Sequence, residues 1–172
     1  MTERYYAGIG SRETPISLKK AIIKIAKLAE SKGYILRSGA ADGADMWFEE
    51  GVSNPKNKEI YLPWAGFNGH QTGIVQYSPL AETIAKKFHP AWDNLKRGGK
   101  SMMIRNSYQI LGLDCKSPVE FVVCWTEGGK MKGGTSQAMR IAIANNIPIY
   151  NLYHKEDIVK LVKYLFKQST TK

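Results

Sequence analysis

Three short stretches of this sequence combine glycine with serine, threonine or arginine, a mixture suited to holding a phosphate. They run from Gly8 to Arg12, from Ser38 to Asp45, and from Gly133 to Thr135. Glycine lets backbone amides approach an anion closely, and a guanidinium offers paired donors that fit phosphate oxygens. The residue types therefore predict an anion-binding site, provided that the fold brings the three stretches together.

The third stretch lies between a strand and a helix. Residues Phe121–Trp125 form an apolar run without alternation, which is typical of a central strand covered on both faces. Apolar residues at helical spacing follow the glycines and predict a helix to Asn145, where Asn146 can end it in a left-handed conformation. Residues Ile147–Tyr150 then begin the next strand. At the start of such a helix, free amides and the helix dipole attract anions.

The first stretch also joins a predicted strand to a predicted helix. Tyr5–Ile9 has the composition of a strand, and a helix is predicted over Pro15–Ser31 with Thr14 as its N-cap. The glycines alone can be explained by a tight connection. Arg12 favours phosphate binding, because a guanidinium beside a helix start has the geometry that a phosphate needs.

The second stretch follows a short strand, Tyr34–Arg37, and precedes a helix that contains Met46–Glu49. Asp42 or Asp45 can cap this helix, and capping alone would explain either carboxylate. Alternatively, one of them holds the hydroxyls of a ribose, while Ser38 and nearby amides line a cleft. The two roles are compatible.

The remaining segments continue the alternation of strands and helices. Glu59–Leu62 is predicted as a strand, and helices are predicted to begin near Ser78, Ser101 and Lys155. The stretch Ala65–Tyr77 has neither helical nor strand periodicity, and its length is typical of a binding loop. Stacking on a base and sealing the core edge are both open for its aromatic residues. These are Trp64, Phe67 and His70.

One polar pair interrupts the otherwise apolar helix that begins near Ser101. It consists of Arg105 and Asn106. Arg105 is either a surface side chain or part of a binding site, and its position at the start of an apolar segment marks it as a candidate.

The alternating elements predict an α/β fold for residues 1–172, as a single domain. We expect a three-layer sandwich in which a mostly parallel sheet of about five strands carries helices on both faces. Ligands of such sheets bind beyond the carboxyl ends of the strands, at the point where the strand order reverses. Each glycine-containing stretch follows a predicted strand, so all three are expected to meet at this edge.

Composition and charge restrict the other classes of protein. An apolar fraction of 43% excludes a disordered chain, and no apolar run reaches membrane length, so we expect a cytoplasmic protein without membrane contact. The two cysteines and three scattered histidines lack metal-ligand spacing, and neither a metal nor a cofactor is expected. The net charge of +10 favours anionic partners. Many lysines fall on predicted helix faces, either as solvated surface or as a nucleic-acid surface.

In these motifs the chain resembles the Rossmann-like superfamily that contains DNA-processing protein A and the LOG family, once labelled lysine decarboxylase-like. Gly8–Arg12 resembles the superfamily's first-strand G-S-R turn, and Ser38–Asp45 resembles the S-G-G-A-x-G-x-D of DNA-processing protein A. Arg105 and Asn106 are similar to its R-N pair. Gly133–Thr135 is similar to the G-G-x-G-T signature of the LOG group, with changed spacing. The motifs follow the superfamily's order across nearly the whole chain.

The resemblance implies a cleft for a nucleotide or a related phosphorylated ribose. LOG enzymes hydrolyse the N-glycosidic bond of a nucleoside monophosphate with an arginine and a glutamate. Arg105 matches the arginine, but Ala138 occupies the position of the glutamate. Glu127, Asp42 and Asp45 are the carboxylates that could take its place, and Glu127 is the leading candidate. DNA-processing protein A binds single-stranded DNA, which implies a second alternative. The resemblance also implies a homo-oligomer, a dimer or a tetramer.

Our first hypothesis is a module that binds a nucleotide or a phosphorylated nucleotide derivative. The alternatives are an N-glycosidic hydrolase of nucleoside monophosphates, with Arg105 and Glu127 as catalytic residues, and a single-stranded DNA-binding protein. In the first hypothesis the phosphate lies against the first and third stretches. The predicted ligand-binding residues are Gly10, Ser11, Arg12, Ser38, Gly39, Asp42, Asp45, Asn106, Gly133, Gly134 and Thr135.

Overall fold

The computed structural model describes residues 2–169. Within them, a six-stranded parallel sheet is packed against six α-helices. The strands are β1 (Arg4–Gly8), β2 (Tyr34–Ser38), β3 (Lys58–Leu62), β4 (Ile74–Val75), β5 (Phe121–Cys124) and β6 (Ile149–Asn151). The helices are α1 (Lys19–Ser31), α2 (Ala44–Gly51), α3 (Pro79–Phe88), α4 (Arg97–Leu111), α5 (Thr135–Ala144) and α6 (Lys155–Lys167).

The strand order is β4-β3-β2-β1-β5-β6, and every pair is parallel. Strand β1 lies between β2 and β5, with Tyr5 opposite Ile35 and Ala7 opposite Val122. The chain therefore builds the sheet outward from β1 in one direction and then in the other. The order reverses between β1 and β5, which places the expected ligand site beyond the carboxyl ends of these two strands.

The two faces of the sheet carry separate cores because successive side chains of a strand point in opposite directions. Tyr6 and Phe121 face the core formed with α1, α2 and α6. Ala7 and Val122 face the core formed with α3, α4 and α5. All four residues of β5 are buried, as expected for a strand covered on both sides. The α/β class and the helices on both faces are thus confirmed.

Several local expectations require correction. The sheet has six strands rather than about five, since Ile74–Val75 pairs with β3 inside the stretch that showed no periodicity. A two-residue strand is too short to produce a periodic pattern. Thr14 does not cap α1, because the helix begins only at Lys19, after a short 3₁₀ turn. The Thr14 hydroxyl donates to the carbonyl of Ser11. The left-handed Asn146, with φ of 56°, follows α5 as predicted.

Metal and membrane features were searched over residues 2–169. In that range no helix has both the length and the apolar character needed to cross a bilayer. The same range contains no group of three or more histidine, cysteine and acidic side chains placed to hold a metal ion. Cys115 and Cys124 are both buried, and both are free thiols.

The Tyr6 hydroxyl supplies a test of the core. The ring stacks on Phe121 with centroids 5.4 Å apart, but the fully buried hydroxyl finds no hydrogen-bond partner within residues 2–169. Since a buried unsatisfied hydroxyl is costly, Tyr6→Phe should raise the free energy of unfolding by about 1 kcal/mol, measured by urea denaturation.

Tyr34→Phe is the matched control. Its hydroxyl lies 2.9 Å from a Glu120 carboxylate oxygen and 3.0 Å from the Tyr164 hydroxyl, so its removal should lower stability by about 1 kcal/mol. Equal destabilisation by both substitutions would contradict the assignment for Tyr6.

Candidate functional site

A cleft of about 430 Å³ lies beyond the carboxyl ends of β1 and β5, where the strand order reverses. Residues following β1, β2 and β5 contribute to its lining, together with one face of α4. The lining residues are Ile9, Gly10, Ser11, Arg12, Glu13, Ala41, Asp45, Met102, Met103, Arg105, Asn106, Gln109, Lys132, Gly133, Gly134, Thr135 and Ala138. The three stretches singled out in the sequence therefore meet at one edge of the sheet.

Most of the predicted site residues line this cleft. They are Gly10, Ser11, Arg12, Asp45, Arg105, Asn106, Gly133, Gly134 and Thr135. Ser38 and Gly39 are buried and are not part of the lining. Asp42 and Glu127 are exposed and also lie outside it.

Asp45 joins the first two turns. Its side chain is buried, one carboxylate oxygen accepts a 3.0 Å hydrogen bond from the Gly10 amide, and the other accepts a 3.4 Å bond from the Ala41 amide. The N-cap of α2 is Gly43, which has no side-chain cap. Capping therefore does not explain either carboxylate of this stretch. Asp45 instead fixes the turn after β1 against the turn after β2.

Asp42 belongs to a different environment. Its carboxylate accepts a 2.9 Å hydrogen bond from the Asn68 amide, which also donates to the carbonyl of Ala40. Ala40 has φ of 58°, a left-handed conformation that costs a residue with a Cβ about 1 kcal/mol or more. Asn68 thus stabilises an unusual backbone path in the turn after β2.

The aromatic residues near this loop do not line the cleft. Phe67 is buried and packs edge-on against Trp64, with ring centroids 5.2 Å apart. His70 lies 2.8 Å from a Glu49 carboxylate oxygen. Phe67 therefore seals the edge of the core and does not stack on a base in the cleft.

Arg105 is a buried organising group and not a surface side chain. It is only 5% exposed, and it donates to the carbonyls of Gly39 and Tyr61 and to the Asn106 side-chain oxygen. The Asn106 amide donates to the carbonyl of Gly134 at 3.1 Å. The pair on α4 consequently connects the turn after β2 with the turn after β5.

Ser38 and Gly39 act beneath the cleft floor. The Ser38 hydroxyl donates to the Gly8 carbonyl at 2.6 Å. A Cβ at Gly39 would lie 2.3 Å from Arg105 Nη1 and 2.3 Å from Gln109 Nε2. A side chain at this position would displace the ends of two α4 side chains, so glycine gives them room.

Asp45 and Arg105 influence each other electrostatically. Burial raises the pKa of Asp45 to about 6, and the positive charge of Arg105 and the bonds from backbone amides oppose the shift only in part. Burial likewise lowers the pKa of Arg105, against the attraction of Asp45. The cleft floor therefore holds two opposite charges that are both removed from water.

Free donors are concentrated at the start of α5. The amide of Gly10 is bound to Asp45, and the amide of Ser11 donates to the Trp125 carbonyl at 3.1 Å, so these two are not available to a ligand. The amides of Gly133–Thr135 have no acceptor within the described part of the chain. Two turns are expected to hold the phosphate, and among the amides of Gly10, Ser11 and Gly133–Thr135 only those in the turn after β5 are without an acceptor in the described residues.

Two basic side chains and one acidic side chain, Glu13, lie at the exposed rim of the cleft. Arg12 and Lys132 both line it and are exposed. Lys132 pairs with Glu127 at 2.7 Å, and this contact lowers the pKa of the Glu127 carboxyl. Glu127 is therefore held as a carboxylate on the outer side of the rim, bound to a cleft lysine and not itself a lining residue.

Sequence reasoning missed several lining residues, of which Glu13, Gln109 and Lys132 carry polar side chains. Gln109 is 2% exposed and lies one helical turn after Arg105 in α4. Its spacing of four residues from Arg105 was the available signal, because residues i and i+4 share a helix face.

Two solved structures resemble this architecture. DNA-processing protein A from Helicobacter pylori, described for its single-stranded DNA binding mode, has a TM-score of 0.53 and 15% sequence identity, over 95% of this chain and 73% of that one. The fold is that of DNA-processing protein A. The Streptococcus pneumoniae DNA-processing protein A has a TM-score of 0.51 and 15% identity, over 98% of this chain and 57% of that one. No protein-family model and no curated protein sequence matches the chain.

The likeness to DNA-processing protein A confirms the Rossmann-like architecture that the motifs indicated. This chain spans nearly three quarters of the Helicobacter pylori chain but little more than half of the Streptococcus pneumoniae one. At 15% identity, the common feature is the backbone scaffold, and the side chains of the cleft must be interpreted from their own contacts.

Two glycines of the site should respond differently to substitution. Gly39→Ala places a methyl group against Arg105 and Gln109 and should lower the free energy of unfolding by about 2 kcal/mol. Gly134→Ala should change it by less than about 0.5 kcal/mol, because its Cβ would meet only a Met103 carbon at 3.7 Å and its φ of −63° suits alanine. Urea denaturation of both variants measures the contrast, and similar values would contradict the packing at Gly39.

Asp45 should make stability depend on pH. Its folded pKa of about 6 lies above the ordinary 3.8, so the folded state binds more protons between these values and loses stability as pH rises through them. The loss should reach about 2 kcal/mol between pH 4 and pH 7.

Asp45→Asn removes this titration and provides the comparison. Urea denaturation of both proteins at pH 4 and at pH 7 should show the native chain losing stability relative to the variant as the pH rises. A constant difference between them would show that burial does not raise the pKa of Asp45.

Proposed function

We propose that the cleft binds a nucleotide or a phosphorylated nucleotide derivative, with its phosphate at the start of α5. The observation that carries this proposal is that the amides of Gly133–Thr135 have no acceptor in the described residues. They lie at the N-terminal end of the ten-residue helix α5. The helix dipole adds a partial positive charge at the same point. Arg12 and Lys132 on the rim supply full positive charges for the phosphate oxygens.

The rest of the cleft favours a ligand larger than inorganic phosphate. Its volume of about 430 Å³ falls within the range of roughly 300–1,000 Å³ that is common for small-molecule sites. Ile9, Met102 and Met103 provide apolar walls, whereas Arg105 and Asp45 provide a polar floor. A base and a sugar have this combination of apolar faces and polar edges.

Single-stranded DNA is the second candidate ligand. The Helicobacter pylori protein with this fold is described as binding single-stranded DNA. The net charge of +10 would also favour a polyanion, and one nucleotide of a strand offers the same phosphate as a free nucleotide. Strand binding would extend beyond the cleft to the lysine-rich helix faces.

Hydrolysis of the N-glycosidic bond is less well supported by the site. Ala138 lines the cleft at the position where the LOG resemblance places a glutamate. Glu127, the predicted substitute, is paired with Lys132 outside the lining. Two carboxylates do line the cleft: both oxygens of Asp45 accept hydrogen bonds from backbone amides, and Glu13 is exposed to solvent. We therefore propose binding without cleavage.

The proposal predicts saturable stabilisation by nucleotides. Thermal denaturation with a panel of nucleoside mono-, di- and triphosphates should show a higher Tm for at least one, since a ligand of the folded state adds about 2.7 kcal/mol at a hundred times its Kd. Arg12→Gln should weaken that ligand about tenfold, the equivalent of one charge-assisted hydrogen bond. Lys163→Gln on α6 removes the same charge from a residue outside the cleft lining and should leave affinity unchanged.

The same assay separates the candidate functions. Oligothymidylates of increasing length should bind no more tightly than a mononucleotide if the cleft holds one free nucleotide. Affinity that rises with length and falls steeply with salt would favour single-stranded DNA instead. Free base released from a nucleoside monophosphate would overturn the proposal in favour of the hydrolase.

A further inference from the structure

The side-chain amide of Gln109 makes no hydrogen bond within residues 2–169, and its polar atoms keep some solvent contact, since within that range only the Tyr6 hydroxyl is both fully buried and unpaired. It is 2% exposed and belongs to the lining of the cleft. A polar group that has no protein partner is normally bound by water or by a ligand. The polar atoms of Gln109 therefore face the space that a ligand would occupy.

A second buried glutamine shows what the fold does when an amide has only a structural role. Gln137 on α5 is fully buried, its nitrogen donates to the Ala85 carbonyl at 2.9 Å, and its oxygen accepts from Arg140 at 2.9 Å. Both halves of that amide are satisfied. The contrast indicates that the unpaired state of Gln109 is a property of the cleft and not of buried glutamines in this chain.

Gln109 lies deeper in the cleft than the proposed phosphate seat. Asn106 on α4 donates to Gly134 at that seat, and Gln109 follows three residues later, about 4.5 Å further along the helix. On the floor, Gln109 Nε2 and Arg105 Nη1 both lie above Gly39. A ligand whose phosphate rests on α5 would thus direct its uncharged part towards Gln109.

An amide matches a group that presents a donor and an acceptor side by side. The edges of nucleobases do so, and a glutamine can bind such an edge through two hydrogen bonds. Exchanging the oxygen and nitrogen of the Gln109 amide preserves this match, because one donor group and one acceptor remain. Met102 and Met103 on the same helix supply apolar surface for the base faces.

We infer that Gln109 recognises the hydrogen-bonding edge of the nucleobase and sets the base preference of the cleft. This inference rests on the proposed function, which supplies the phosphate seat. Gln109 is a specificity residue in this account, whereas Arg105 and Asp45 shape the floor beneath the ligand.

The test compares Gln109→Met with Gln137→Met, which remove buried amides of the same size. Without ligand, Gln109→Met should have nearly the Tm of the native chain, since the amide that it removes bonds no protein group and keeps contact with the cleft. Gln137→Met should have a lower Tm, because two hydrogen bonds are lost. A lower Tm for Gln109→Met would show that its amide has a structural role and would overturn the inference.

Affinity supplies the second measurement. Calorimetry with the adenine, guanine, cytosine and uracil nucleoside monophosphates should show about a tenfold loss for the preferred base in Gln109→Met and little remaining discrimination among bases. Ribose 5-phosphate should bind the native chain and Gln109→Met alike.

The outcomes separate this inference from the proposed function. If the native chain binds none of these compounds, the proposed function fails before any variant is needed. If it binds nucleotides and Gln109→Met keeps the same base preference, only the role of Gln109 is overturned. An equal loss for ribose 5-phosphate would assign Gln109 to the sugar and also overturn base recognition.

Discussion

The buried charges of Asp45 and Arg105 determine how the three turns meet. Asp45 receives the amides of Gly10 and Ala41, and Arg105 holds the carbonyl of Gly39 and is linked through Asn106 to the start of α5. Each charge offsets part of the desolvation of the other, yet the raised pKa of Asp45 shows that burial outweighs this attraction. The desolvation of these two charges is therefore unfavourable, and packing of the surrounding α/β core must offset it.

The sequence was sufficient to predict the scaffold because its signals are local and repeated. The apolar run of β5, the glycine turn and the helix that follows each carry their own pattern, and parallel strands joined by helices place their carboxyl ends together. Strand β4 escaped prediction because two residues have no period. The cap at Thr14 was wrong because a 3₁₀ turn follows Pro15 and α1 begins only at Lys19.

The site was less predictable because residues of the same type have different structural roles there. Gly39 leaves room for two side chains, Gly133 adopts φ of 70°, and the surroundings of Gly134 would admit a methyl group. Asp42 and Asp45 are three residues apart, but only Asp45 lies in the first turn of α2 and faces the cleft. These differences depend on neighbours distant in sequence, which no local pattern encodes.

Unpaired polar groups provide the strongest clue to function in this molecule. A folded chain normally satisfies its buried donors and acceptors, and Gln137 and Asn151 illustrate this elsewhere in the core. At the cleft the start of α5 and the Gln109 amide are left without partners in the described chain. The backbone amides at the start of α5 suit an anion, and the Gln109 amide suits a neutral group with a donor beside an acceptor. One ligand that carries a phosphate and such a neutral group would bind both. Because a backbone shared at 15% identity does not fix side chains, such residues are where this protein can differ from DNA-processing protein A in what it binds.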